Sequence, residues 1–429
     1  MGPRKLAFDL LQRLEKNNQF SNIILDRALV HGSMSDADKG LATALLYGVT
    51  ERRLTLDYQI SRLSARHVKD LDMAVLTALR LGLYQLIYMD RIPPHAAINE
   101  TVSLCSKKTA GFVNAVLRAF TRDKRLEYPS AKDEPVSFLS VRFSVCLPLA
   151  KRLTDDLGFD GACSLLEGFE ERRNETTVSV NTLKISRDEM LKRIPDSVPS
   201  KYSERGIHLT GSVRELYGFD DGLFFVQDEA SQICVSAIGA RPGETLIDTC
   251  SCPGSKSFGA AISMENTGKI LAFDLHEKKL PLIVSGAKRL GINIISASVC
   301  DGRKFLPELE SSADRVLCDV PCSGFGVLSK KPELRYKDPA ESEALPDIQL
   351  SILENACRYV KDGGTLIYST CTVLPKENEE NVRRFLDRHE EFYLEPFSTC
   401  GLDFPDGYMT LRPDIHGTDG FFLARLKKR

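Results

Sequence analysis

From Gln227 onward the chain alternates short apolar runs with helix-length stretches, and this rhythm most narrows what it can fold into. The runs cover 245–248, 270–273, 294–297, 316–319 and 365–368, separated by helical stretches such as 277–290 and 348–361. Repeated strand–helix units of this kind form a parallel sheet with helices on both faces, because each right-handed crossover lays its helix on the sheet. The tail, 420–426, is expected to add an edge strand.

In such a sheet, ligands bind beyond the carboxyl ends of the strands. Three carboxylates are expected there. Asp274 ends the second run, Asp301 follows the third and Asp319 ends the fourth. Buried carboxylates need partners, so three at successive strand ends are better explained by a ligand than by packing. Asp274 suits a ribose diol and Asp301 an adenine amine. The first run leads into Cys250-Ser251-Cys252-Pro253-Gly254-Ser255-Lys256 and then an apolar helix. Small residues and a glycine let backbone approach a ligand, and a helix N-terminus offers free amides. The loop is neither a P-loop nor a dinucleotide turn. Taken alone, it also matches an ordinary strand–helix turn.

Two cysteine segments occupy the same edge. Asp319-Val320-Pro321-Cys322-Ser323-Gly324 follows the fourth run, and Ser369-Thr370-Cys371-Thr372 follows the fifth. Either thiol alone reads most simply as a buried strand-end cysteine. Two thiols over one crevice point to thiolate attack on an electrophilic ring carbon.

The rest of the chain divides by pattern. Residues 1–130 read as an all-α bundle, with Leu6, Leu10, Leu11 and Leu14, then Leu41, Leu45, Leu46 and Val49, at helical spacing. This segment holds 19 Lys+Arg against 13 Asp+Glu, a net charge of +6, while the remainder is net −8. A basic module suits phosphate, although a solvated helical surface explains the charge equally well. A polar linker leads to a small α+β subdomain over 136–225, with strand-like runs at 177–180 and 207–209. An α/β domain then occupies 226–429. With 429 residues, two or three domains are expected. No apolar run is long enough to span a bilayer, and the N-terminus lacks a signal-peptide core, so a cytoplasmic protein away from membranes is expected. The twelve cysteines then imply reduced thiols, mostly buried, and their spacing predicts no metal site.

At this point the chain resembles the RNA cytosine-5 methyltransferases that use S-adenosyl-L-methionine. The family's D-x-C-A-A-P-G-G-K appears as Asp248-Thr249-Cys250-Ser251-Cys252-Pro253-Gly254-Ser255-Lys256, its D-x-P-C-S-G as residues 319–324, and its S-T-C-[ST] as residues 369–372. Glu377-Asn378-Glu379-Glu380 also fits. The N-terminal helices resemble the RNA-binding factor NusB, most visibly at Phe112-Val113-Asn114-Ala115-Val116-Leu117-Arg118. A NusB-like domain joined to this Rossmann-like catalytic domain resembles the RsmB, or Sun/Fmu, subgroup. Departures are small-for-small at Ser251, Cys252 and Ser255, while Ser179 stands where the family commonly has arginine.

The resemblance implies methylation of cytosine C5 in small-subunit ribosomal RNA, at the position usually numbered 967. It implies Cys371 as the nucleophile on C6 and Cys322 as the group that releases product. Asp319 is expected on the base edge and the cofactor, with Lys256 organising the site. RNA is the implied partner, with no obligate protein partner evident. Two alternatives stay open: a transfer-RNA cytosine-5 methyltransferase, and a non-catalytic RNA-binding assembly factor on the same fold.

Overall fold

A computed structural model of the chain describes residues 2–17, 21–30, 34–172, 175–209 and 216–429. It forms two compact units. One comprises residues 1–166 with 330–339, the other 167–329 with 340–429.

The first unit is helical, as its spacing predicts. Its centre is helix Met73–Tyr88, in which every residue from Val75 to Gln85 is buried. A helix apolar nearly all round must be surrounded by others. Leu10, Leu45, Leu46, Leu56 and Leu117 share one core with it. The one charged residue in that buried run is Arg80. Its guanidinium donates to Asp57 through Nε and Nη2, both at 2.7 Å, and to Glu15 through Nη1 at 2.7 Å. Pro94 sits at the first position of helix Pro94–Val102, where its missing N–H costs nothing. The segment 330–339 reaches this unit from far along the chain. Arg335, fully buried, donates to the Phe143 carbonyl at 2.8 Å, and the Tyr336 hydroxyl donates to the Thr50 carbonyl at 2.6 Å.

The second unit holds two main sheets. Strands β1 (Thr176–Val180), β2 (Val198–Pro199), β3 (Gly206–Leu209) and β4 (Phe224–Val226) form an antiparallel sheet in the order β2-β3-β1-β4. With helix Arg187–Arg193 it encloses Val178, Val180, Met190, Ile207 and Phe224.

The larger sheet is mixed. Its strands are β5 (Thr245–Asp248), β6 (Lys269–Asp274), β7 (Ile295–Val299), β8 (Ala313–Asp319), β9 (Val360–Thr370), β10 (Phe392–Leu394), β13 (Tyr408–Leu411) and β14 (Phe421–Lys428). A separate hairpin joins β11 (Phe397–Thr399) to β12 (Leu402–Phe404). The order is β10-β14-β9-β8-β5-β6-β7, parallel from β9 to β7, with β13 also pairing β14. Alternation along each strand feeds two cores. Leu246, Leu317, Ile367 and Leu423 face one core, shared with helices Glu229–Ile238, Ser255–Ser263 and Leu280–Leu290. Ile247, Val316, Leu366 and Phe422 face the other, shared with helix Leu345–Ala356. Helices therefore cover both faces.

The tail departs from expectation. β14 lies inside the sheet, because the short strands β10 and β13 pair antiparallel with its outer side.

Candidate active site

The parallel strands end in step. Asp248 pairs in register with Leu317, and Asp319 with Ser369. That register sets the loop after β5, the turn after β8 and the end of β9 side by side.

The loop after β5 turns tightly. Gly254 has φ +105°, and a Cβ there would lie 2.6 Å from the Phe258 ring, so glycine is needed. The peptide Cys252–Pro253 is cis. Buried Asp248 anchors the turn, accepting from the Ser257 hydroxyl at 2.7 Å and the Cys250 N–H at 3.3 Å. Burial, only partly offset by the Ser257 hydrogen bond, pushes its pKa up to about 6. Helix Ser255–Ser263 starts with no side-chain cap, which leaves its first N–H groups to serve as donors. Asp274 ends β6, mostly buried, its Oδ1 accepting the His276 N–H at 2.9 Å. This arrangement fits S-adenosylmethionine: uncapped amides for a carboxylate, and the Asp274 carboxylate for a ribose diol. Asp301 is placed differently. Both its oxygens are engaged by Arg303, at 2.9 and 2.8 Å, and that hydrogen bond holds its pKa down to about 2.

Lys256 lies buried on the helix, its Nζ 2.7 Å from Asp319 Oδ2 and 5.0 Å from the centre of the Phe421 ring. Burial disfavours its charge, but Asp319, Cys234 and Cys371 outweigh that and raise its pKa. The other Asp319 oxygen accepts from Ser369 Oγ at 2.9 Å. Asp319 remains 30% exposed, so it links the interior to the crevice.

The thiols come together. Cys322 Sγ and Cys371 Sγ are 3.0 Å apart, and the Cys371 N–H donates to Cys322 Sγ at 3.3 Å. The thiol–thiol hydrogen bond shared with Cys371 raises the Cys322 pKa well above normal, helped by burial and by the charges of Cys371 and Glu377. Behind the pair is a polar frame the strand pattern did not reveal. Glu377 Oε2 accepts the Ser323 N–H at 2.9 Å and Gln349 Nε2 at 2.8 Å. The Tyr368 hydroxyl donates to the Glu377 carbonyl at 2.6 Å, and Thr370 Oγ1 donates to Asn378 Oδ1 at 2.6 Å. Gly326 closes the turn by direct backbone contact. Its N–H donates to the Cys371 carbonyl and its own carbonyl accepts from Gly420.

The expected residues 250–256, Asp274, Asp301, Asp319, Cys322 and Cys371 thus lie along one edge of the sheet, with the Asp301 carboxylate also held by Arg303. Glu377 had been noted only within a matching segment, without a role. Ser179 is fully buried on β1. None of the twelve cysteines is in a disulfide; Cys234, Cys318 and Cys357 are buried, fewer than expected. At the opposite end of β9, Cys357, His389 and Glu391 bring donor atoms within 4.8 Å of one another.

These features place the chain among the S-adenosylmethionine-dependent RNA methyltransferases. A family model described as 16S rRNA methyltransferase RsmB/F matches residues 235–427, and the NusB family matches residues 1–122. A probable ribosomal RNA small subunit methyltransferase B of Bacillus subtilis is 35% identical, covering 99% of this chain and 98% of the relative. The ribosomal RNA small subunit methyltransferase B of Cronobacter sakazakii is 31% identical over 99% of this chain and 98% of its own. The crystal structure of PH0851 superposes with a TM-score of 0.80 at 28% identity, covering 100% of this chain and 99% of that one. The chain belongs to the RsmB family of small-subunit ribosomal RNA methyltransferases. Among the described residues, no helix is long and apolar enough to cross a membrane.

Proposed function

We propose that the protein methylates C5 of a cytosine in 16S ribosomal RNA, at the position usually numbered 967, through a covalent adduct between Cys371 and C6. The observation that carries this reading is the thiol pair, 3.0 Å apart, beside the Lys256–Asp319 ion pair.

Cytosine C5 is a poor nucleophile. Attack of the Cys371 sulfur on C6 forms an S–C6 bond and turns the ring into an enamine, whose C5 then takes the methyl group. The loop after β5 and Asp274 would hold S-adenosylmethionine, which would supply that electrophilic methyl. Cys322 then removes the C5 proton, the S–C6 bond breaks and Cys371 is restored. Asp319, fixed by Lys256 and Ser369, presents a carboxylate to the N3/N4 edge of the base. The target nucleotide must be unstacked for both ring faces to be reached.

The test is methyl transfer from labelled S-adenosylmethionine to unmodified 16S ribosomal RNA, with the product nucleoside identified by mass. 5-Methylcytidine at one position, made by wild type and not by Cys371→Ala, is the expected result. Labelling confined to transfer RNA would move the substrate assignment, and transfer by Cys371→Ala would remove the nucleophile.

A further inference from the structure

The two thiols are chemically alike, yet the proposed reaction gives them different tasks. Their surroundings differ. Cys322 sits on the turn gripped by Glu377, a residue only 2% exposed. Two N–H donors converge on Glu377 Oε2, the Ser323 amide at 2.9 Å and Gln349 Nε2 at 2.8 Å, a pattern that an ionised carboxylate accepts. The second oxygen, Oε1, has no hydrogen-bond partner among the described residues. Gln349 is itself fixed, because its Nε2 also donates to the Pro321 carbonyl at 3.0 Å, one residue before Cys322. Cys371, by contrast, lies within charge reach of the Lys256 ammonium.

We propose that Glu377 is a positioning residue that keeps the proton of the thiol pair on Cys322, leaving Cys371 as the thiolate. This rests on the reading of the two cysteines given above. The groups that face Cys322 are Tyr368 on β9, Cys371 just past its end and Glu377 on the turn beyond, with the Lys256–Asp319 pair beside Cys371. Negative charge at Glu377 disfavours a thiolate at Cys322, and the ammonium favours one at Cys371. The Cys371 N–H to Cys322 Sγ contact opposes this, but it is one neutral donor against a buried carboxylate.

The proton balance of the reaction then closes. Cys371 thiolate attacks C6, and the ring, having gained an electron pair, takes the Cys322 proton at N3, relayed through the Asp319 carboxylate that faces that edge. Cys322 is now the thiolate. After C5 gains the methyl group, Cys322 accepts the C5 proton. Elimination returns the electron pair to Cys371, and the N3 proton leaves to water, so one proton is released for each methyl transferred.

The experiment measures single-hit alkylation by iodoacetamide from about pH 6 to about pH 10, with modification at Cys322 and Cys371 quantified separately by mass spectrometry. In wild type, Cys371 is expected to react at lower pH than Cys322. Glu377→Gln keeps an oxygen for the Ser323 amide but removes the charge. It should speed Cys322 alkylation about tenfold at a fixed neutral pH, corresponding to one pH unit. A purely structural Glu377 would leave that profile in place. The wild-type order needs no variant, so it stands even if Glu377→Gln folds poorly. Cys322 reacting first in wild type, or an unchanged Cys322 profile in a folded Glu377→Gln, overturns the proposal. The covalent trap with Cys322→Ser separates the two ideas. An adduct with an unmoved profile removes the role of Glu377 alone, whereas the expected profile without an adduct supports Glu377 and removes the release step.

Discussion

Cys322 and Cys371 are 49 residues apart in sequence, yet their sulfurs lie 3.0 Å from each other. The approach follows from the parallel pairing of β8 with β9, which puts Asp319 opposite Ser369 and so brings the two following turns together. A single-residue slip of that register would part them. Cys322→Ser should therefore accumulate an RNA adduct stable to denaturing electrophoresis. Cys371→Ala should give none, and a Cys322→Ser protein that turns over without an adduct would count against the division of labour.

Lys256 and Asp319 form the other coupled pair. Lys256→Met leaves Asp319 held only by Ser369 and removes the positive charge beside Cys371. Misplacing a group that orients the reacting base costs about a hundredfold. The expected result is a fall of that size in kcat with a smaller change in KM, read from initial rates.

Asp248 gives a pH signature. Its folded pKa is raised to about 6, above the value of about 3.8 for the free side chain. Between those values the native state binds more protons than the unfolded one, so stability from this group is fully present below about pH 4 and lost as pH rises through 6. A shift of two units corresponds to roughly 3 kcal/mol. Asp248→Asn should abolish this slope. Urea unfolding of wild type and variant across that window checks it; parallel curves would show that Asp248 does not titrate there.

Gly254→Ala forces a Cβ into a left-handed conformation and against the Phe258 ring. Strain of this kind costs about 1–3 kcal/mol. Because the turn forms the start of the cofactor helix, S-adenosylmethionine affinity should weaken by about tenfold or more. Titration calorimetry reads this directly, and unchanged affinity would detach the turn from the cofactor.

The strand ends were legible because each run carries its own apolar period and finishes on a charged or small residue. That is how Asp274, Asp319, Cys322 and Cys371 could be placed on one edge. Asp301 sits at the correct end too, but its carboxylate is held by Arg303 only two residues on, a local pairing that strand periodicity does not report. Glu377 and Gln349 escaped for the opposite reason. Their partners lie 54 and 28 residues away, and nothing local marks a long-range hydrogen bond. β10 has three residues and β13 four, too few for an alternating pattern to show, and so the last strand looked like an edge.

The segment 330–339 has a temporal meaning. Domains generally form in order as the chain emerges during synthesis. Here Arg335 and Tyr336, which fill the helical unit beside Phe143 and Thr50, are made long after the helices they join. The amino-terminal helices therefore reach the ribosome exit first but cannot be completed until residue 339 has been made, by which time β5 to β8 already exist. A nascent helical bundle waiting with unfilled sites at Phe143 and Thr50 is where a stalled or truncated chain would be most exposed to proteolysis.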